Sequence, residues 1–179
     1  MLKTTDTLAL IIDFQERLLP AMNEHEKLAK QSEILIKGLK VLDIPMIITQ
    51  QYTKGLGMSE KFIFATAGSD GYMDKLTFSA MRNEQISEAI KQSKKKNVIV
   101  CGIEAHICVL QTCLDLKKQG FVPYLVLDCT GSRKKADWDM TIIRAQQEGI
   151  TVTSSESILF ELLGEASGDT FKTISKMIR

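Results

Sequence analysis

A chain of 179 residues with 44% hydrophobic and 25% charged content can bury a sizeable core, and it is too apolar for a disordered chain and too charged for a membrane bundle. Lys and Arg number 23 against 22 Asp and Glu, a formal net charge of +1 that provides no global field for nucleic acid or an anionic membrane. No apolar run approaches the roughly 20 residues that span a bilayer. The four cysteines lack disulfide-type or zinc-type spacing, which points to a reducing, cytoplasmic setting. The length fits one domain, residues 1-179, and the run from Met1 to Thr7 enters an apolar segment directly, leaving no room for a signal peptide.

Leu8 to Ile12 reads as a first buried strand, and it ends on Asp13-Phe14-Gln15. An isolated Asp there would ordinarily cap a turn. Glu26 to Leu42 carries Leu28, Ile34, Leu35, Leu39 and Leu42 at helical spacing, and Ile44 to Ile48 is a second strand followed by Thr49-Gln50-Gln51-Tyr52. Residues 53 to 74, punctuated by Gly55, Gly57, Gly68 and Gly71, read as a long excursion at the edge of the sheet, with Met58, Phe62 and Phe64 packing onto the body or forming a lid or subunit contact. Lys75 follows, ahead of a short apolar piece; a lysine is ordinarily a surface residue. A helix over Asn83 to Lys91 and the solvated triplet Lys94-Lys95-Lys96 lead into the central segment.

That segment opens with Val98 to Cys101, a strand buried on both faces, and Gly102 punctuates it. After Cys108 the period becomes helical through Val109, Leu110, Cys113, Leu114 and Leu116, and the helix stops at Lys117-Lys118-Gln119-Gly120. Cys108 therefore sits where a strand hands over to a helix, on an exposed turn at the sheet edge where open α/β folds place their chemistry. A helix N-terminus or a nearby cation raises the thiolate fraction of such a cysteine. Cys101, Cys113 and Cys129 fit the ordinary role of small buried apolar residues. Pro123 to Leu127 is a further strand, Trp138 to Glu148 a helix with Met140, Ile143 and Trp138 inward, Ile150 to Thr153 a last strand and Ser157 to Leu163 a short helix. The tail from Thr170 to Arg179 is amphipathic, with Phe171, Ile174, Met177 and Ile178 on one side, to pack on the body or on a second subunit.

Strands and helices alternate throughout. This pattern specifies a three-layer αβα, Rossmann-like fold with a mainly parallel sheet of about five to six strands and helices on both faces. No G-x-G-x-x-G follows the first strand and no P-loop occurs, so no cofactor is expected. His25 and His106 are the only histidines, and His106 lies too close to Cys108 on the same turn to deprotonate it. An acid, a cation and a thiol remain at sheet-edge positions: Asp13, Lys75 and Cys108.

Three motifs in order, Ile12-Asp13-Phe14-Gln15, Lys75-Leu76-Thr77-Phe78-Ser79 and Gly102-Ile103-Glu104-Ala105-His106-Ile107-Cys108-Val109, resemble the isochorismatase-like cysteine hydrolase family. The resemblance is closest to its isochorismatase-domain-containing branch, shared further by Gln51-Tyr52-Thr53-Lys54-Gly55-Leu56-Gly57 and Ser154-Ser155-Glu156. It implies Cys108 as nucleophile, Asp13 as general base and Lys75 as the cation that stabilises the thiolate. It also implies an oxyanion turn formed by Ile103, Glu104 and Cys108, with a cis peptide bond between Ile103 and Glu104 and donors from the N–H groups of Glu104 and Cys108. Nicotinamidases of the family hold zinc through Asp and His after the second strand; Gln50-Gln51-Tyr52 stand here, so no metal is expected. The thiol favours hydrolysis of a small amide or related C–N bond through a covalent thioester over vinyl-ether chemistry.

Phe14, Gln51, Tyr52 and Phe78 are candidate substrate contacts from their nearness to these motifs. The family resemblance further implies a homo-oligomer, a dimer or larger, acting on a small molecule, with no nucleic acid or membrane partner. The alternative is a catalytically idle binding or scaffold protein on the same fold. A redox-sensing Cys108 would need a resolving partner, and no C-x-x-C supplies one.

Overall fold

The computed structural model describes residues 2–178. Its strands are β1 (Thr7–Ile12), β2 (Met46–Gln51), β3 (Met73–Lys75), β4 (Asn97–Ile103), β5 (Val122–Gly131) and β6 (Thr151–Thr153). They form one six-stranded sheet in the order β3-β2-β1-β4-β5-β6, with every pairing parallel. The helices are α1 (His25–Val41), α2 (Thr53–Leu56), α3 (Lys61–Ala67), α4 (Glu84–Gln92), α5 (Leu110–Lys118), α6 (Lys135–Gln147), α7 (Ser155–Leu163) and α8 (Gly168–Ile178). A π-helical turn, Ala105–Val109, joins β4 to α5.

The continuous apolar runs of β1 and β4 arise because both faces of these central strands are covered. Ala9, Ile11, Ile99, Cys101 and Ile103 face a core completed by α1, α3, α7 and Ile174 of α8. Leu8, Leu10, Ile12, Val98 and Val100 face a second core completed by α4, α5 and Ala145 of α6. The C-terminal helix thus packs on the body of its own chain, with the Phe171 ring 6.3 Å from that of Phe160. Arg179 lies outside the described residues.

Several boundaries differ from the sequence reading. The excursion after β2 holds α2 and α3, with Ile63 and Thr66 turned inward and Phe62 and Phe64 packed against the core. Lys75 ends an edge strand, β3, that its three residues were too short to announce by periodicity. β5 continues through Asp128 and Cys129 to Gly131, past the apolar run that marks its start, with a register shift opposite Val100 and Gly102. In α6 the inward residues are Thr141 and Ala145, whereas Met140 is 61% exposed and Ile143 47%. The reason is phase: small side chains let the helix lie close on β6 and the π turn, and the larger ones are left outside.

One glycine fixes how closely the two central strands approach. Gly102 pairs with Ile12 across β1 and β4 and has φ +136°. A Cβ there would lie 2.1 Å from the Ile12 carbonyl oxygen, which is backbone and cannot rotate away. Gly102→Ala combines this clash with a disfavoured φ, and a loss of about 2–4 kcal/mol in unfolding free energy is expected, read as a lowered denaturant midpoint at unchanged m-value.

Candidate active site

Three chain segments converge at the carboxyl edge of β1, β3 and β4. Asp13 follows β1 directly and has φ +56°, a left-handed conformation that Asp tolerates better than most residues. Its N–H donates to the Thr49 carbonyl at 3.1 Å, so the turn is held to β2. Lys75 closes β3, and Cys108 lies within the π turn after β4.

Lys75 Nζ donates to Asp13 Oδ2 at 2.6 Å, and both side chains are 0% exposed. The ammonium has two further acceptors, Gln51 Oε1 at 2.7 Å and the Thr77 carbonyl at 3.3 Å. Thr49 Oγ1 donates to the other carboxylate oxygen, Oδ1, at 2.7 Å. Such pairing is what allows charge to persist in a dry interior, since each unpaired ion would lose several kcal/mol of hydration. The Cys108 thiol completes the cluster. It lies close enough to the pair for the Asp13 carboxylate, the Lys75 ammonium and the Glu104 N–H each to act on its sulfur.

Burial raises the Asp13 pKa above the ordinary carboxylate value, outweighing the Lys75 charge and the hydrogen bonds from Lys75, Thr49 and Cys108. Burial likewise pushes the Cys108 thiol up to about 12, helped by the Asp13 charge and opposed by Lys75 and the Glu104 N–H. Cys108 is only 6% exposed, packed among Val109, Leu110 and Ala80, and not on the exposed turn that its sequence position suggests. The resting group is consequently a thiol beside a carboxyl, and the expected enrichment in thiolate is outweighed by desolvation.

The turn after β4 is built by its neighbours. The Ile103–Glu104 peptide bond is cis. The Glu104 carbonyl accepts the N–H groups of Ile107 and Val109, at 3.1 and 3.2 Å. The Glu104 carboxylate in turn accepts the Arg133 N–H and Nε–H, each at 3.1 Å. His106 Nδ1 lies 2.9 Å from Ser132 Oγ.

The four candidate substrate contacts separate. Phe14 is 1% exposed and belongs to the core beneath α1, so it packs and does not line an opening. Gln51 faces the cluster, but its amide is committed, accepting from Lys75 and donating to the Leu76 carbonyl at 2.9 Å. Tyr52 and Phe78, half exposed, stand at the rim, where the Tyr52 N–H donates to the Lys75 carbonyl. Thr49, Arg133 and Thr112 contribute without having been singled out; the only sequence sign for Thr49 is a hydroxyl ending an apolar run. Among the described residues, no group of three or more His, Cys, Asp or Glu side chains is placed to hold a metal ion. A separate cavity of about 600 Å3 opens between α1, α6 and the ends of β5 and β6, walled by Leu28, Leu127, Trp138 and Val152. None of the three converging residues lines it; Ser132, whose Oγ lies 2.9 Å from His106 Nδ1, does.

The sequence model of the isochorismatase domain matches residues 7–157. The chain belongs to the isochorismatase family. Among family relatives, isochorismatase domain-containing protein 1 of Salmo salar is 34% identical over 97% of this chain, which spans 61% of the salmon protein's length. The MAR1 ribonuclease structure of Caenorhabditis elegans is 32% identical with a TM-score of 0.91, covering 99% of this chain and 91% of that one. The YcaC gene product of Escherichia coli, an octameric hydrolase of unknown specificity, superposes with a TM-score of 0.93 at 23% identity, over 98% of this chain and 89% of its own. No helix among the described residues is long and apolar enough to cross a membrane.

Proposed function

We propose that this chain is a metal-independent cysteine hydrolase of small amides or related C–N compounds, working through a thioester on Cys108. The observation that carries the reading is the fully buried Lys75–Asp13 pair at 2.6 Å with the Cys108 thiol beside it. A pair so costly to desolvate, set beside a nucleophile at a sheet edge, is the pattern of a site more than of a core.

The steps balance within these groups. Cys108 Sγ bonds to the carbonyl carbon as its proton passes to Asp13, whose raised pKa makes it the stronger base for the purpose. The oxyanion that forms takes hydrogen bonds from the N–H groups of Glu104 and Cys108. The C–N bond then breaks as Asp13 returns the proton to the departing nitrogen, leaving a thioester and a carboxylate. Water gives a proton to Asp13 and bonds to the acyl carbon; the C–S bond breaks, and sulfur recovers the proton. Lys75 holds the carboxylate in place and offsets negative charge throughout.

Tyr52 and Phe78 at the rim support an apolar-bodied small substrate. Four unpaired cysteines support a reducing, cytoplasmic setting. The exposed Met140 and Ile143 on α6, together with the octameric assembly of the E. coli neighbour, support self-association.

The test is a panel of small amides and ureas with wild type and Cys108→Ala, scored by turnover and by intact mass for an acyl adduct that hydroxylamine removes. Turnover is expected to fall by about 10³-fold or more in the variant, with no adduct and little change in thermal midpoint. Wild type that neither turns over nor acylates would transfer the weight to a binding or scaffold role on this fold. The name of the nematode relative makes RNA a second substrate class for the panel. RNA cleavage lost in Cys108→Ala would replace the amide with a phosphodiester.

A further inference from the structure

Thr112 lies on α5 one turn beyond the nucleophile and is fully buried. Its single hydroxyl makes two bonds in opposite directions. Oγ1–H donates to the Cys108 carbonyl at 2.6 Å, and the same oxygen accepts the Ala80 N–H at 3.0 Å. Ala80 is the first residue of a 3-10 turn that follows the Lys75 loop, and an N–H at such a position has no partner within its own turn. The loop between Lys75 and Ala80 is otherwise held by backbone contacts: Gln51 Nε2–H to the Leu76 carbonyl, Lys75 Nζ to the Thr77 carbonyl and Thr77 Oγ1–H to the Ser79 carbonyl. Its side chains do little to anchor it, because Leu76 and Phe78 face solvent.

From this geometry we infer that Thr112 is the positioning residue that sets the nucleophile turn against the lysine loop, so that the Cys108 thiol meets the Lys75–Asp13 pair. The inference rests on the reading of Cys108 as nucleophile. The 3-10 turn and α5 are also joined by the Arg82–Asp115 ion pair and by the packing of Ala80 and Met81, but among the described hydrogen bonds no other side chain bridges the Cys108 carbonyl to the Lys75 loop. A serine would supply the same two bonds. A valine keeps the shape and supplies neither, leaving a buried N–H unmatched.

The experiment is the second-order rate of Cys108 alkylation by iodoacetamide across pH, with adducts located by mass spectrometry, in wild type, Thr112→Val, Thr112→Ser and Ala80→Pro. Ala80→Pro deletes the N–H of the bridge and adds ring carbons at a buried position, so a thermal melt accompanies its labelling. Ser79, at φ −69° and ψ 128°, already has the extended backbone that precedes proline, and the first helical position tolerates proline. Thr112→Val and Ala80→Pro are each expected to lose about tenfold or more near neutral pH, the size of effect that small misplacement of a reacting group produces. Their rates should recover at alkaline pH, where an ionised thiol needs no base. Thr112→Ser should stay within about twofold of wild type, and the double variant should lose no more than either single one, because both break the same bridge.

Folded Thr112→Val and Ala80→Pro with wild-type rates and pH profile would overturn the inference. Should one of them fail to fold, the other decides. A wild-type thiol that titrates freely and ignores Asp13 and Lys75 would instead overturn the catalytic reading itself, a result visible without any Thr112 variant.

Discussion

Lys75→Met is expected to silence Cys108 and to lower the unfolding free energy by about 3–5 kcal/mol, the usual consequence of removing one member of a buried ion pair. Methionine matches the lysine stem in length and lacks the ammonium that donates to Asp13, Gln51 and the Thr77 carbonyl. Lys75 is the foremost influence holding the Asp13 pKa down against burial, so without it the carboxyl pKa rises further and the protonated form gains ground. A protonated carboxyl cannot accept the thiol proton, and the thiol loses the one cation opposing its own upward shift.

The sign of the stability effect follows. A carboxyl whose folded pKa exceeds its unfolded value contributes stability that is complete below the ordinary carboxylate range and is lost as pH rises through the folded value. In wild type that loss begins above the model-peptide value of 3.8, and in Lys75→Met it continues to higher pH. Denaturant melts at several pH values and iodoacetamide labelling at pH 7 read both effects. A variant labelled at the wild-type rate would remove Lys75 from the chemistry.

Asp13→Asn is expected to separate two properties that the first variant removes together. The Asp13 charge and hydrogen bond both raise the Cys108 pKa, after burial. With asparagine there, those contributions vanish and Lys75 has no anionic partner except the sulfur. The thiol pKa therefore falls below about 12, and the alkylation profile shifts to lower pH. Turnover moves the other way. No group remains to protonate the departing nitrogen or to take a proton from water, and kcat is expected to fall by about 10²–10⁴-fold. A thiol that labels more readily in an enzyme that no longer turns over distinguishes a general base from a residue that merely orients the cysteine. Parallel loss of labelling and turnover would favour the orienting role.

The three-layer fold was legible from patterning because the central strands are buried on both faces, and runs such as Leu8 to Ile12 and Val98 to Cys101 record that in composition alone. Boundaries failed where burial did not follow hydrophobicity. β3 is three residues long and ends on a charge; β5 runs on through Asp128, whose carboxylate is taken up by Ser155. α6 misled through its large apolar residues, since small ones make the contact.

At the site, position at strand ends singled out Asp13 and Cys108, whereas Lys75 drew interest only beside those two and through the resemblance of the three motifs in order; the fold brings the three together. Proximity in sequence was a poor guide to the surroundings. Phe14 adjoins Asp13 in the chain yet points into the opposite core, because neighbouring residues leaving a strand face different ways. Thr112 and Thr49 act through hydroxyls bonded to distant segments, and a threonine in a helix or strand carries no sign of that in a single sequence.

The four cysteines have one more consequence. Cys101, Cys113 and Cys129 are at most 1% exposed and lie in β4, α5 and β5, the centre of the domain. A thiol reagent reaches them only when those elements open, so their modification is a clock for rare unfolding excursions under native conditions. Cys108 reports on the chemistry of the site, while the other three count openings. One mass spectrum, with the one-adduct and four-adduct populations followed in time, thus yields reactivity and conformational stability from the same sample without added denaturant.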